Sequence, residues 1–178
     1  MGGAFTTEII YEVIKINQIV REVQEELKER IYAPQQISNV IHYFIGDDDR
    51  EVFLVICLSS VNNIVAVHRC HIGSLNSTTV SPRDVFKAAI LNNANGIIVS
   101  HNHPSTHLYP SEEDIFVTKA LMKAGKILEI PLLDHIIINS NGDYFSFKEE
   151  GFLLKDRVIR KSPRPTTVIN PVFKKIHK

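Results

Sequence analysis

His101 and His103 are separated by one residue and follow directly on the apolar run Ile97-Ile98-Val99-Ser100. In extended backbone, side chains two residues apart leave the same face in similar directions, so both imidazoles can address one ion. Two imidazoles alone are a common surface pairing, and it is the context that narrows the reading. Pro104 turns the chain, and a loop of seven residues, 104–110, leads to Ser111, where a helical pattern starts. Asp114 lies on the first turn of that helix, three residues after Ser111 and on nearly the same face. The loop is long enough to fold the helix start back over the strand end, where α/β proteins usually gather their sites. Two histidines and one aspartate make three protein ligands and leave a fourth position for water, the pattern of a catalytic zinc site. Structural zinc sites are richer in cysteine. The two cysteines here, Cys57 and Cys70, sit in apolar runs, form no Cys-x-x-Cys pair, and read as reduced core residues.

The elements that must position these residues can be traced in order. Residues 8–31 place apolar side chains at 9, 10, 13, 16, 19, 20, 23 and 27, a mostly helical spacing in which 9–16 also fits a strand. Pro34 ends that segment. Residues 35–45 read as a short helix closed by Gly46 and the acidic turn Asp47-Asp48-Asp49. Val52 to Leu58 is a continuous apolar run of strand length, Ser59 to Asn63 turns the chain, and Ile64 to Ile72 returns as the second strand of a hairpin. Ser81 is an N-cap candidate with Pro82 at the first helical position. A strand over 97–100, a loop over 101–110, and a helix from about Ser111 to Leu128 follow. Leu132 to Asn139 is a strand, Asn141-Gly142 a turn, and Tyr144 to Phe147 the returning strand.

This pattern predicts an α+β (α/β-like) fold with a central mixed sheet flanked by helices. We divide it into an N-terminal helical segment (1–34), a catalytic domain (35–153) and an extended basic tail (154–178). The 178 residues carry 20 basic and 20 acidic side chains, but unevenly. Residues 153–178 hold eight Lys/Arg against the single acid Asp156, leaving 12 basic and 19 acidic elsewhere. Such a tail reads either as a solvated arm or as a weak, sequence-independent contact for nucleic acid. No run approaches the ~18 apolar residues of a membrane helix. The N-terminus lacks the basic and apolar regions of a secretory signal, so a cytoplasmic location without membrane partners is expected.

The pattern His101-x-His103-Pro104-x6-Ser111-x2-Asp114 matches the JAMM (MPN-plus) metallohydrolase signature at every fixed position. Its flanks resemble the RadC branch of that superfamily: Gly73-Ser74-Leu75-Asn76, Pro82-Arg83-Asp84-Val85-Phe86, Ser100-His101-Asn102-His103-Pro104-Ser105 and Leu133-Asp134-His135-Ile136. The resemblance covers roughly residues 8–153. It departs at Thr106, where RadC members usually have Gly, at Glu112, commonly Arg, and at Asp84, usually Glu. The helix-hairpin-helix-like domain of longer members has no counterpart in these residues, so a short form is expected.

The resemblance implies a JAMM/MPN domain holding one zinc ion (Zn2+) per chain on His101, His103 and Asp114. It further implies hydrolysis of a peptide or isopeptide-like amide. Glu51, just before the first core strand, occupies the place of the family's general base and acid. Ser111 would donate to the developing oxyanion, besides capping its helix. The family name and the basic tail carry the alternative of a DNA-repair-associated nucleic-acid-binding or nuclease-like factor. A zinc deaminase is set aside, because it needs His-x-Glu and Pro-Cys-x-x-Cys. Among the other histidines, His135 reads as a hydrogen-bonded residue near the sheet end, with Asp134 orienting a neighbouring group, and His107 as a loop residue over the site.

Overall fold

The apolar run Val52–Leu58 forms β1, buried along its whole length. A strand with no polar alternation needs cover on both faces, and the fold supplies it. In a computed structural model, residues 18–21, 30–73, 80–105 and 107–154 are described. They form α1 (Pro34–Ile45), β1 (Val52–Leu58), β2 (Ile64–Ile72), α2 (Pro82–Leu91), β3 (Gly96–His103), α3 (Glu112–Leu128), β4 (Leu132–Asn139) and β5 (Tyr144–Ser146). The sheet order is β2-β1-β3-β4-β5. Strand β1 is antiparallel to both β2 and β3, β3 and β4 are parallel, and β5 returns antiparallel to β4. The single parallel pair needs a crossover, and α3 provides it.

The two faces of the sheet carry separate cores. On one face, Val52, Leu54, Ile56, Ile98, Ile136 and Ile138 pack against Ile37, Val40, Ile41 and Ile45 of α1. On the other, Phe53, Val55, Cys57, Ile97 and Val99 pack against Val85, Phe86 and Ala89 of α2 and Val117 and Leu121 of α3. The predicted mixed α+β sheet flanked by helices is therefore the observed architecture. Cys57 is buried and Cys70 half-buried, and both are free thiols; burial pushes each thiol up to about 11.

The hairpin β1–β2 and the turn at Asn141-Gly142 fall where the sequence places them, with Gly142 at φ +89°. Strand β3 is longer than expected. It runs through His103 instead of stopping at Ser100, because β4 continues to pair with it as far as His103↔Asn139. Within the predicted N-terminal helix, residues 18–21 and 30–31 are irregular, and Arg30 forms a lone bridge with Asn63. The rest of that segment lies outside the described residues, as does the basic tail beyond 154. Among the described residues, no helix is long and apolar enough to cross a membrane.

Candidate metal centre

The end of β3 and the start of α3 build the site. Ser111 caps α3: its Oγ accepts the Asp114 backbone N–H at 3.1 Å, and its own N–H and O–H donate to Asp114 Oδ2 at 2.8 and 2.6 Å. This reciprocal cap fixes the Asp114 carboxylate at the mouth of the helix, where the N-terminal dipole favours negative charge. His101 and His103 share the face of β3 that looks toward α2 and α3. His101 Nε2 lies 3.0 Å from His103 Nε2 and 3.3 Å from Asp114 Oδ1, and His103 Nε2 lies 3.9 Å from Asp114 Oδ2. The edge of a tetrahedron around an ion with ~2.0–2.1 Å bonds is about 3.3–3.4 Å. The two edges that meet at His101 Nε2 match that length to within about half an ångström, while His103 approaches the carboxylate less closely and through its other oxygen.

Proton positions make the fit chemical as well as metric. His103 Nδ1–H donates to the His107 carbonyl at 2.7 Å, which leaves Nε2 a bare lone pair in the neutral ring. For His101 the tautomer follows from a chain of bonds. Thr118 Oγ1–H donates to the Asp114 carbonyl at 2.6 Å, so its oxygen can only accept from His135 Nδ1–H, also at 2.6 Å. His135 Nε2 then accepts, and His101 Nδ1–H donates to it at 2.9 Å. His101 Nε2 is therefore bare too. Two imidazole lone pairs and a carboxylate converge on one small space with no hydrogen among them, an arrangement that only a cation makes favourable. The residues present thus fit a metal ion, and the hydrogen bonds behind His101 and His103 are of the kind that orient ligating imidazoles.

The electrostatics agree. Burial, and then the neighbouring His101, hold His103 below the ordinary imidazole value, against the upward pull of the His107 carbonyl, Asp114 and Glu51. Burial alone would push Asp114 up, but pairing with His101, which takes effect when a proton or a cation lies between the two, and the bonds from Ser111 outweigh it, and the carboxyl is held well below its usual range. His135, fully enclosed, is lowered well below its ordinary value by burial first and by His101 second. Its ring stacks on Phe147, with centroids 4.5 Å apart and planes at 13°, and meets the edge of Phe53 at 5.8 Å.

The structure brings together His101, His103, Asp114 and Ser111. Glu51 is half-buried, one residue before β1. The β1–β3 register pairs Phe53 with His101, and continuing it by two residues sets Glu51 opposite His103. The pull of its carboxylate on His103 agrees with that placement. His107 is exposed and engages the site through its carbonyl, not its ring. Asp134 does orient its neighbours: it accepts the backbone N–H of His135 and Lys148 and the hydroxyl of Ser146. Sequence reasoning missed Thr118 and the direct contact of His135 with His101. A signal was present in the adjacent polar pair Asp134-His135 inside an otherwise apolar strand, since buried polar groups need partners.

A family model described as RadC-like JAB domain matches residues 31–152. The chain belongs to that family. Among curated relatives of this RadC-like JAB domain, a UPF0758 protein of Thermotoga maritima is 46% identical over 154 residues, 86% of this chain and 67% of the relative. A UPF0758 protein of Methanosarcina barkeri is 37% identical over 145 residues, 80% of this chain and 63% of the relative. One from Desulfitobacterium hafniense is 46% identical over 123 residues, 69% of this chain and 54% of the relative. The RadC-like chain thus spans about half to two thirds of the length of the relatives it matches.

Proposed function

We propose that this chain is a zinc-dependent metallohydrolase of JAMM type that cleaves a peptide or isopeptide-like amide. The observation that carries the reading is the convergence of His101 Nε2, His103 Nε2 and the Asp114 carboxylate, all three without a hydrogen, on one small space. These residues hold the ion. When bound, zinc supplies Lewis acidity, lowering the pKa of water to roughly 7 and polarising a carbonyl. Zinc is favoured over magnesium or calcium because two of the three donors are imidazole nitrogens.

The chain's own groups divide the remaining work. Asp114, held ionised, offsets part of the ion's charge and fixes its place relative to α3. Glu51, which the extended β1–β3 register sets opposite His103, takes a proton from water and returns it to the departing amine. Ser111 donates its hydroxyl to the oxygen that gains charge, and must leave Asp114 Oδ2 to do so. His103 is fixed from behind by the His107 carbonyl, and His101 by His135 and Thr118, so neither ring reorients during turnover.

The test combines metal analysis with cleavage of a peptide library. Purified protein should carry about one zinc per chain, and His101→Ala should lose it. Glu51→Gln should keep zinc and fold while turnover drops by ~10²-fold or more. Full zinc retention in a His101/His103 double variant would remove the proposal. Deleting residues 157–178 separates the DNA alternative: zinc and amide cleavage should persist, while any weak, salt-sensitive DNA binding should vanish. Phosphodiester cleavage that survives the deletion and disappears in His103→Ala would instead favour a nuclease.

A further inference from the structure

The middle residue of His101-Asn102-His103 faces the opposite side of the sheet from its neighbours. Asn102 is 3% exposed, and its amide makes three hydrogen bonds to one short segment. Its Oδ1 accepts the Val52 N–H at 2.7 Å, and its Nδ2 donates to the Arg50 carbonyl at 3.0 Å and the Asp48 carbonyl at 3.1 Å. Arg50 and Val52 are the two neighbours of Glu51. The paired register of β1 and β3 stops at Phe53 opposite His101, so beyond that point a side chain of β3 takes over from the ladder. The Glu51 carbonyl is tied on its other side by the Gly73 N–H at 2.8 Å.

We propose that Asn102 is a positioning residue for Glu51. By gripping the backbone on both sides of Glu51, it sets the distance of that carboxylate from the ion held by the two flanking histidines. One strand segment thereby places two ligands on one face and locates the base from the other. The inference rests on the role proposed above for Glu51. Asparagine suits the task, because one planar group supplies an acceptor and two donors in fixed geometry. Aspartate would keep the acceptor for Val52 and lose both donors.

The test uses the full chain loaded with cobalt(II) in place of zinc, and compares Glu51→Gln, Asn102→Asp, Asn102→Ala and the double variant Glu51→Gln/Asn102→Asp. The readouts are metal stoichiometry, the pH midpoint of the cobalt visible spectrum, and amide exchange at Val52 and Val55 in metal-free protein. All variants should bind one cobalt. Glu51→Gln and Asn102→Asp should shift the midpoint in the same direction, and the double variant should shift it no further than Glu51→Gln does, because residues that act through each other are not additive. In Asn102→Ala, Val52 exchange should rise by ~10-fold or more while Val55, inside the ladder, stays protected. In Asn102→Asp, Val52 should remain protected. Should Asn102→Ala fail to fold, the aspartate variant carries the test alone. A midpoint that moves in Glu51→Gln but in neither Asn102 variant would overturn the clamp and leave the Glu51 reading intact. An added shift in the double variant would mean that Asn102 acts through the histidines instead. A silent Glu51→Gln would remove both.

Discussion

Asp114 and Asp134 are two buried carboxylates, 5% and 3% exposed, and each accepts a serine hydroxyl at 2.6 Å. Each also accepts backbone N–H groups, Asp114 from Ser111 and Asp134 from His135 and Lys148. Their proton affinities nevertheless move in opposite directions. Asp134 is pushed up from 3.8 to about 6, because burial outweighs the bonds from Ser146, Lys148 and His135. Asp114 is held down, because His101 at 3.3 Å and the Ser111 bonds outweigh the same burial effect. Burial and hydrogen bonds to serine are common to both, so the imidazoles make the difference. A buried carboxylate that keeps its charge is one placed against groups that gather positive charge. Asp134 instead belongs to the architecture, tying β4 to β5 and the turn after it.

The largest effect expected from this contrast is in metal binding. Asp114→Asn should reduce affinity for zinc by more than ~10²-fold, beyond the usual effect of losing an outer-shell partner. Asp134→Asn, of equal chemistry and similar burial, should bind one zinc like the wild type. Competition with a chromophoric chelator measures both. Equal loss in the two variants would erase the distinction and make the Asp114 effect one of folding.

Stability against pH comes next. The folded chain holds the Asp134 proton more tightly than the unfolded chain does, so native protein binds more protons between about pH 4 and 6. Its contribution is fully present below about pH 4 and is lost as pH rises through about 6. The rise from 3.8 to about 6 corresponds to on the order of 3 kcal/mol. Asp114 has the reverse sign: its contribution is present above the ordinary carboxyl value and is lost as pH falls below that value. Metal-free Asp134→Asn should therefore show a flatter stability profile than wild type over about pH 4 to 7, measured by urea unfolding. Parallel profiles would mean that Asp134 is ionised throughout, like Asp114.

The two carboxylates also differ in how far the amino-acid sequence reveals their partners. The candidate ligand set around Asp114 is legible because its geometry is local: a period of two in a strand, and a cap three residues from its partner. The hairpin, the crossover helix and the two-sided burial of β1 follow from runs of apolar residues. Thr118, the contact of His135 with His101, and the grip of Asn102 on Arg50 and Val52 are not legible. They depend on which strand lies beside β3 and in what register, and nothing local in a parallel pair such as Val99↔His135 specifies that. Ending the strand at Ser100, where the apolar run stops, also hides the pairing of His101 with Phe53, and with it the direct route to Glu51.

A moderate effect tests the connection behind His101. Thr118→Val keeps the shape of the side chain but removes the hydroxyl that joins His135 to the Asp114 carbonyl. His135 then loses the acceptor that fixes its tautomer. Zinc affinity should drop by ~10-fold, within the range for outer-shell partners, with turnover per bound zinc nearly unchanged. Unaltered affinity would reduce the chain from Thr118 to His101 to ordinary core satisfaction.

The smallest effects should come from the two serines, and they distinguish the carboxylates most finely. Ser111→Ala removes a hydroxyl from a carboxylate that is ionised across the whole working range, together with a helix cap. Its stability penalty in metal-free protein should be about 1–2 kcal/mol and nearly constant from about pH 5 to 8. Ser146→Ala removes a hydroxyl from a carboxyl that changes state within that range. A hydrogen bond to a charged acceptor contributes about 1.5–3 kcal/mol and one between neutral groups about 1. The penalty should therefore grow as pH rises, and the upper end of the Asp134 window should move to higher pH, because the lost bond favoured the ionised form. Urea unfolding at four or five pH values resolves the two shapes. If the Ser111 penalty rose with pH and the Ser146 penalty did not, the assignment of charge to Asp114 and of a held proton to Asp134 would have to be exchanged.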